Sequence, residues 1–249
     1  MKRNISLKGT VLQGVLLIVG SVSYAHNYLP PTPGAPITMI PDIGVSRAAY
    51  RELTSSDQLD IYEFTATKGQ EIYIQMTVPL LSRFSGFTPD LALVFMGGES
   101  VDFDAPALEM GKPMDPPHDM VDRIHPHTGS EQKEPAMIGL AYDGSPAVIF
   151  DEPFTGTRYW IRQTLTVAAP ADGTYRIGVY ASNGATGKYV LAPGKTEKFG
   201  IGDIFSLPIV RLQVRSFCEL AIWPDLLVEG LVLAGLVTGG VFLIVAALP

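Results

Sequence analysis

The stretch Asp172-Gly173-Thr174-Tyr175-Arg176-Ile177-Gly178-Val179-Tyr180-Ala181-Ser182-Asn183-Gly184, continuing as Ala185-Thr186-Gly187-Lys188-Tyr189-Val190-Leu191, decides the fold class. Tyr175, Ile177 and Val179 alternate with Thr174, Arg176, Gly178 and Tyr180, the period of two that sends one face of a strand into a core and leaves the other wetter. Asn183-Gly184 supplies turn chemistry, and Lys188-Tyr189-Val190-Leu191 resumes an extended pattern. The stretch reads as the closing hairpin of an antiparallel β domain.

Working upstream, the same alternation returns. Ile72, Ile74, Met76 and Val78 share one face against Glu71, Tyr73, Gln75 and Thr77, and Pro79 ends the run because it cannot donate to a ladder. Ile61-Tyr62-Glu63-Phe64-Thr65 precedes it across Thr67-Lys68-Gly69-Gln70, so these two strands are expected to form a hairpin. Leu91–Met96 reads as a buried strand, and Ala147–Phe150 and Tyr159–Val167 as two more. In the last, Tyr159, Ile161, Gln163, Leu165 and Val167 share a parity. Residues 46–53 fit a short helix or a strand equally. About seven strands with two apolar sheet faces predict an all-β, antiparallel β-sandwich of jelly-roll or Ig-like type over 46–195. Residues 97–137, broken by prolines, read as a long excursion of the kind that carries function.

The ends of the chain have a different character. Lys2, Arg3 and Lys8, the apolar run Val15–Val19 and the small residues of Ser23-Tyr24-Ala25 form the tripartite pattern of a secretory signal peptide over 1–25, with a signal anchor as the alternative. A proline-rich extracytoplasmic spacer follows over 26–45. Residues 196–222 mix large apolar side chains with Arg211 and Arg215, which fits an amphipathic juxtamembrane helix whose arginines reach toward headgroups, or a last strand with a linker. Residues 223–249 read as a transmembrane helix, since Leu226–Leu248 is long enough at helical rise to cross a bilayer, with Trp223 as interfacial anchor. Gly235 and Gly239 form a small-xxx-small pair suited to packing against another membrane helix. The expected location is the membrane, with the β domain on the periplasmic or extracellular side.

Composition narrows the function. A net charge of −7 over 249 residues gives no basic surface for nucleic acid. One cysteine, Cys218, excludes an intrachain disulfide framework. All four histidines lie outside the predicted strands. His118, His125 and His127, with Asp115 and Asp119 nearby, fall in the long excursion, where a copper or zinc site is chemically feasible. Cleavage after Ala25 would expose His26, whose amino group and imidazole can chelate copper. Against these readings stand the absence of a recognised ligand spacing and the tendency of loops to collect such residues. No Gly-x-Ser-x-Gly elbow and no phosphate-binding glycine loop is present, so no catalytic residue is nominated and no cofactor is expected apart from that metal alternative.

Asp60-x-Tyr62-x-Phe64 leading to Gly69, then Gly173-Thr174-Tyr175 and Gly187-Lys188-Tyr189, resembles the pattern of bacterial and archaeal prepeptidase C-terminal β-sandwich domains over roughly 57–192. The resemblance implies a non-catalytic extracytoplasmic module that binds a surface, a polymer or a neighbouring domain, and the excursion at 97–137 departs from it. The expected partner is a membrane protein subunit or an envelope component, with the bilayer engaged through the C-terminal helix. The function expected is that of an accessory or structural subunit of a membrane complex. An anchored envelope-binding module and a copper or zinc protein are the alternatives.

Overall fold

The computed structural model describes residues 27–32, 34–97, 124, 136–141, 147–198, 201–224, 226, 227 and 230. Among them are eleven strands and one long helix: β1 Asn27–Tyr28, β2 Ile37–Met39, β3 Arg47–Leu53, β4 Asp60–Ala66, β5 Glu71–Pro79, β6 Asp90–Phe95, β7 Ala136–Ala141, β8 Val148–Glu152, β9 Thr157–Ala168, β10 Gly173–Tyr180, β11 Gly187–Pro193 and α1 Ile201–Phe217. A short 3-10 turn, Ser82–Phe84, follows β5. Of the ambiguous stretch 46–53, Arg47–Leu53 is strand.

Two sheets form. One has six strands in the order β1-β3-β11-β5-β9-β8, the other five in the order β2-β4-β10-β6-β7. Their inner faces share one core. Ile72, Ile74, Met76, Leu165, Tyr189 and Leu191 from the first meet Tyr62, Phe64, Leu93, Tyr175, Ile177 and Val179 from the second. The side chains that the period-two pattern sent inward are therefore the ones that hold the sheets together, as apolar faces of half-wetted sheets must be.

Both expected hairpins are corrected by the topology. β4 pairs with β2 and β10, whereas β5 lies in the other sheet between β11 and β9. Likewise β10 sits between β4 and β6, and β11 between β3 and β5. The short connections at 67–70 and 181–186 arch across the ~10 Å between the sheets instead of folding back in one sheet. Among the described strands, only β6–β7 and β8–β9 are sequence neighbours that pair.

Two further differences concern the chain's early part and one strand's faces. Residues 27–45, read as a spacer, contribute β1 and β2 to the sheet edges, and both pair in parallel, so the sheets are mixed rather than wholly antiparallel. Leu29, Ile40 and Ile43 from this segment enter the core. In β9 the register shifts: Met76 faces Gln163 and Thr77 faces Ile161, leaving Arg162 as the extra residue. A bulge of this kind reverses the side-chain parity beyond it. Trp160 therefore packs on the core, while Tyr159 turns to the outer face with Ala48, Val190 and Cys218.

From the excursion, Ile124 is fully buried on the outer face of the five-stranded sheet with Ala92, Val94 and Tyr180. Gly178 makes room for it, since a Cβ there would stand 2.6 Å from Ile124 Cδ1. Among the described residues no helix is long and apolar enough to cross a membrane. The signal segment 1–25, most of the excursion and nearly all of the apolar run 226–248 lie outside the described residues.

Candidate functional site

The site with the most specific geometry is the joint between the sandwich and α1. The helix packs on the outer face of the six-stranded sheet, where Tyr159, Ala48 and Val190 present a small apolar patch. Val214 and Cys218, four residues apart and so on one helical face, are buried there. Phe217 meets Tyr50 edge-on at 5.4 Å, and Tyr50 stacks on Tyr28 of β1 at 6.2 Å. The Cys218 thiol donates to the Tyr159 hydroxyl at 3.2 Å, and burial pushes that thiol up to about 11.

A polar row continues under the helix. Tyr159 accepts a bond from Thr157 (3.0 Å), whose hydroxyl lies 2.6 Å from that of Thr155. Thr155 donates its hydroxyl and its backbone N–H to Glu152, and the latter bond is 2.7 Å long. Burying a carboxylate requires such donors. The row shapes the β8–β9 turn so that the Thr155 carbonyl accepts from Arg215 Nη1 at 2.8 Å.

The helix ends in a motif that residue spacing alone does not announce. Glu219 N–H donates to Ser216 O (3.0 Å) and Leu220 N–H to Arg215 O (2.9 Å), the paired bonds of a Schellman cap. The residue in the left-handed position of that cap is usually glycine; here it is Glu219, at φ 59°. Its carboxylate accepts from Lys188 Nζ at 2.7 Å and from Arg83. Lys188 also donates to Phe217 O at 2.9 Å, a favourable place for a cation at a helix C-terminus. The bonds from Arg83 and then Lys188 hold the Glu219 carboxyl down to about 2. Glu219 thus ties the helix end to the start of β11 and to the turn after β5.

Immediately beyond, Leu226 N–H donates to Ile222 O at 3.0 Å, opening a helical turn. Trp223, Leu226 and Leu227 are spaced to share one face of it and are 64%, 50% and 59% exposed, enough to make an apolar surface that water does not favour.

The sequence-nominated residues divide as follows. Arg215 is half-buried and gives its guanidinium to Thr155 O and to Ala221 O (3.2 Å), so it grips protein backbone. Arg211 is half-buried on the same helix. Trp223 is exposed. His26, His118, His125, His127, Asp115, Asp119, Gly235 and Gly239 lie outside the described residues, and among the described ones no three His, Cys, Asp or Glu side chains cluster as metal ligands would. Glu219, Lys188 and Arg83 were not nominated. The available signal was an acid closing a helical stretch, which is weak without knowledge of what it faces.

The residues that carried the family resemblance also come together. Tyr189 donates to Asp60 Oδ2 at 2.5 Å and lies 2.8 Å from the Tyr62 hydroxyl, while Tyr175 stacks on Phe64 at 5.4 Å. Burial raises the pKa of both linked tyrosines, Tyr62 and Tyr189, keeping them as neutral donors. Their position between the sheets makes them a structural brace.

No family model and no curated protein matches the chain. Among solved structures it is similar to PliG from Aeromonas hydrophila, a periplasmic inhibitor of g-type lysozyme, at 15% identity, with 63% of this chain and 94% of that chain covered and a TM-score of 0.29. A likeness at that level carries neither fold nor function from one protein to the other.

Proposed function

We propose that this chain is a non-catalytic β-sandwich module held at a membrane by its C-terminal segment, with the sandwich on the periplasmic or extracellular side. There it serves as an accessory or structural subunit of a membrane complex. The observation that supports this reading is the joint. A module on a loose tether needs no clamp between domain and tail, whereas here α1 is packed, capped and ion-paired to the sandwich just before Trp223, Leu226 and Leu227. A fixed exit suits a domain that must meet a partner in one orientation.

A second reading has its own observation. On the outer face of the six-stranded sheet, beside the helix, Tyr73 and Gln75 stand opposite Thr166 and Thr164. Gln75 donates to the Tyr73 hydroxyl at 3.2 Å, and Lys195 lies 4.6 Å from the Tyr73 ring centre. A flat strip of one aromatic with amide and hydroxyl groups suits an envelope polymer. Native isolation from membranes in mild detergent, with intact mass and copurifying proteins measured on one preparation, separates the two. A stoichiometric membrane partner is expected. A solitary chain would overturn the subunit reading and leave the polymer-binding module.

A further inference from the structure

The joint also determines which end of the sandwich a membrane meets. Glu219 is bonded to Arg83, in the connection after β5, and to Lys188, at the start of β11. Both belong to one end of the sandwich. The same end holds the connection 54–59, which follows β3, and the connection 181–186, which precedes β11; a Cβ on Gly184 would stand 3.4 Å from Ser56 Cβ, and Ser182 N–H donates to Asp90 Oδ2 at 2.7 Å. At the opposite end, Lys68 N–H donates to Asp172 Oδ1 at 2.6 Å and Gly69 N–H to Ala169 O at 2.7 Å. The central strand β5 has nine residues, so the two ends are separated by roughly 25–30 Å at ~3.3 Å per residue. From Glu219 to Trp223 the chain can reach at most about 14 Å, and the helical turn shortens it further.

We infer that the loops 54–59, 80–89 and 181–186 form the membrane-facing end of the module, lying against the headgroups of a bilayer, with 67–70 and 169–172 as the far end. This rests on the membrane reading above. Exposed at the near end are Ser55, Ser56, Ser82, Ser85, Ser182 and Asn183, with Asp57 the acid in the first loop and Arg83, paired with Glu219, the long charged side chain. The short polar side chains let these loops approach a headgroup layer, and Arg83 keeps its charge paired with Glu219 there. The occupant is a bilayer surface because the exposed Trp223, Leu226 and Leu227 continue into the apolar run to Leu248.

The test uses the full-length chain with one added cysteine, Ser56→Cys or Lys68→Cys, each carrying a fluorophore, in phosphatidylcholine vesicles containing headgroup-spin-labelled lipid. Cys218, which lies in the joint, is replaced by serine in all of these chains so that the fluorophore sits only at the added cysteine. Quenching at 56 is expected to exceed that at 68 at least about threefold, because the quencher is short-ranged and the ends are about 25 Å apart. Adding Glu219→Ala, which frees the joint, should bring the ratio toward one. Equal or reversed quenching in chains that float with the vesicles overturns the orientation alone. Failure to float overturns the membrane reading and the orientation with it.

Discussion

Glu219 carries a long side chain on a backbone that residues other than glycine seldom adopt. The left-handed conformation costs roughly 1 kcal/mol for a residue with a Cβ, a cost that its two ion pairs help to offset while the backbone bonds keep the cap in place. Glu219→Ala removes the pairs and keeps the strain, while Glu219→Gly removes both. The glycine variant should therefore be the more stable of the two by about 1 kcal/mol in urea unfolding of the detergent-solubilised chain. A glycine variant no more stable than alanine would mean that the cap does not form. The pH dependence follows from the depressed carboxyl. A group whose folded pKa lies below its unfolded value stabilises above the unfolded value and loses that contribution as pH falls through the folded one. Glu219 goes from 4.5 down to about 2. The stability difference between the native chain and Glu219→Gln, which share the same backbone strain, should be constant above about pH 5 and shrink between 4.5 and 2. With the Glu219 side chain 37% exposed, solvent screens the pairs, so the difference should be modest. A difference that grew on acidification would contradict the assignment.

At the scale of elements, the docking of α1 depends on a displaced strand face. The bulge at Arg162 turns Tyr159 outward, Tyr159 meets Cys218, and the β8–β9 turn aims the Thr155 carbonyl at Arg215. Arg215→Ala deletes the bonds to Thr155 and Ala221, each a charged donor worth about 1.5–3 kcal/mol when well made. The bond to Ala221 is exposed and worth little, so loss of the one to Thr155 should raise the population in which the helix lifts off, and with it the alkylation rate of Cys218, by about ten- to a hundredfold. An unchanged rate would show that apolar packing alone holds the helix. What was readable in advance follows the same division. Ile72, Ile74, Met76 and Val78, and Tyr175, Ile177 and Val179, are core residues as their alternation required, because period two depends only on the local chain. Their partners were not readable. The connections at 67–70 and 181–186 are long enough either to turn within a sheet or to arch between sheets, and Asn183-Gly184 suits both. Tyr159 was misplaced because one extra residue in β9 has no signature without the strand beside it. β1 and β2 were hidden by prolines and by their length of two and three residues. For α1, Pro208 inside the helix and its β-branched neighbours left helix and strand nearly balanced, and contact with the sheet decided. The joint itself was illegible, since Arg83, Lys188 and Glu219 are far apart in sequence.

Taken as a whole molecule, the sandwich is closed by its last two strands. β10 lies between β4 and β6, and β11 between β3 and β5, so neither sheet is continuous until both are in place. β3, β4 and β5 then depend on partners more than a hundred positions away, as in the pairing of Tyr62 with Ile177, of Ala49 with Leu191 and of Thr77 with Val190. Such long-range closure costs loop entropy before contacts repay it, which slows folding. A fragment ending at residue 172 keeps nine of the strands in sequence but leaves β4 and β6 unpaired with each other, and β3 with β5, each exposing two open edges. That fragment should show no cooperative urea transition and should aggregate, whereas a chain ending at residue 198 retains both sheets. The longer chain loses α1, uncovering the Tyr159, Ala48 and Val190 patch, so it should unfold cooperatively at lower urea than the full chain. Cooperative unfolding of the shorter fragment would mean that β5–β9 and β8–β9 suffice as a nucleus on their own. The absence of a transition in either fragment would mean that α1 is needed for the sandwich to form and does more than fix its exit.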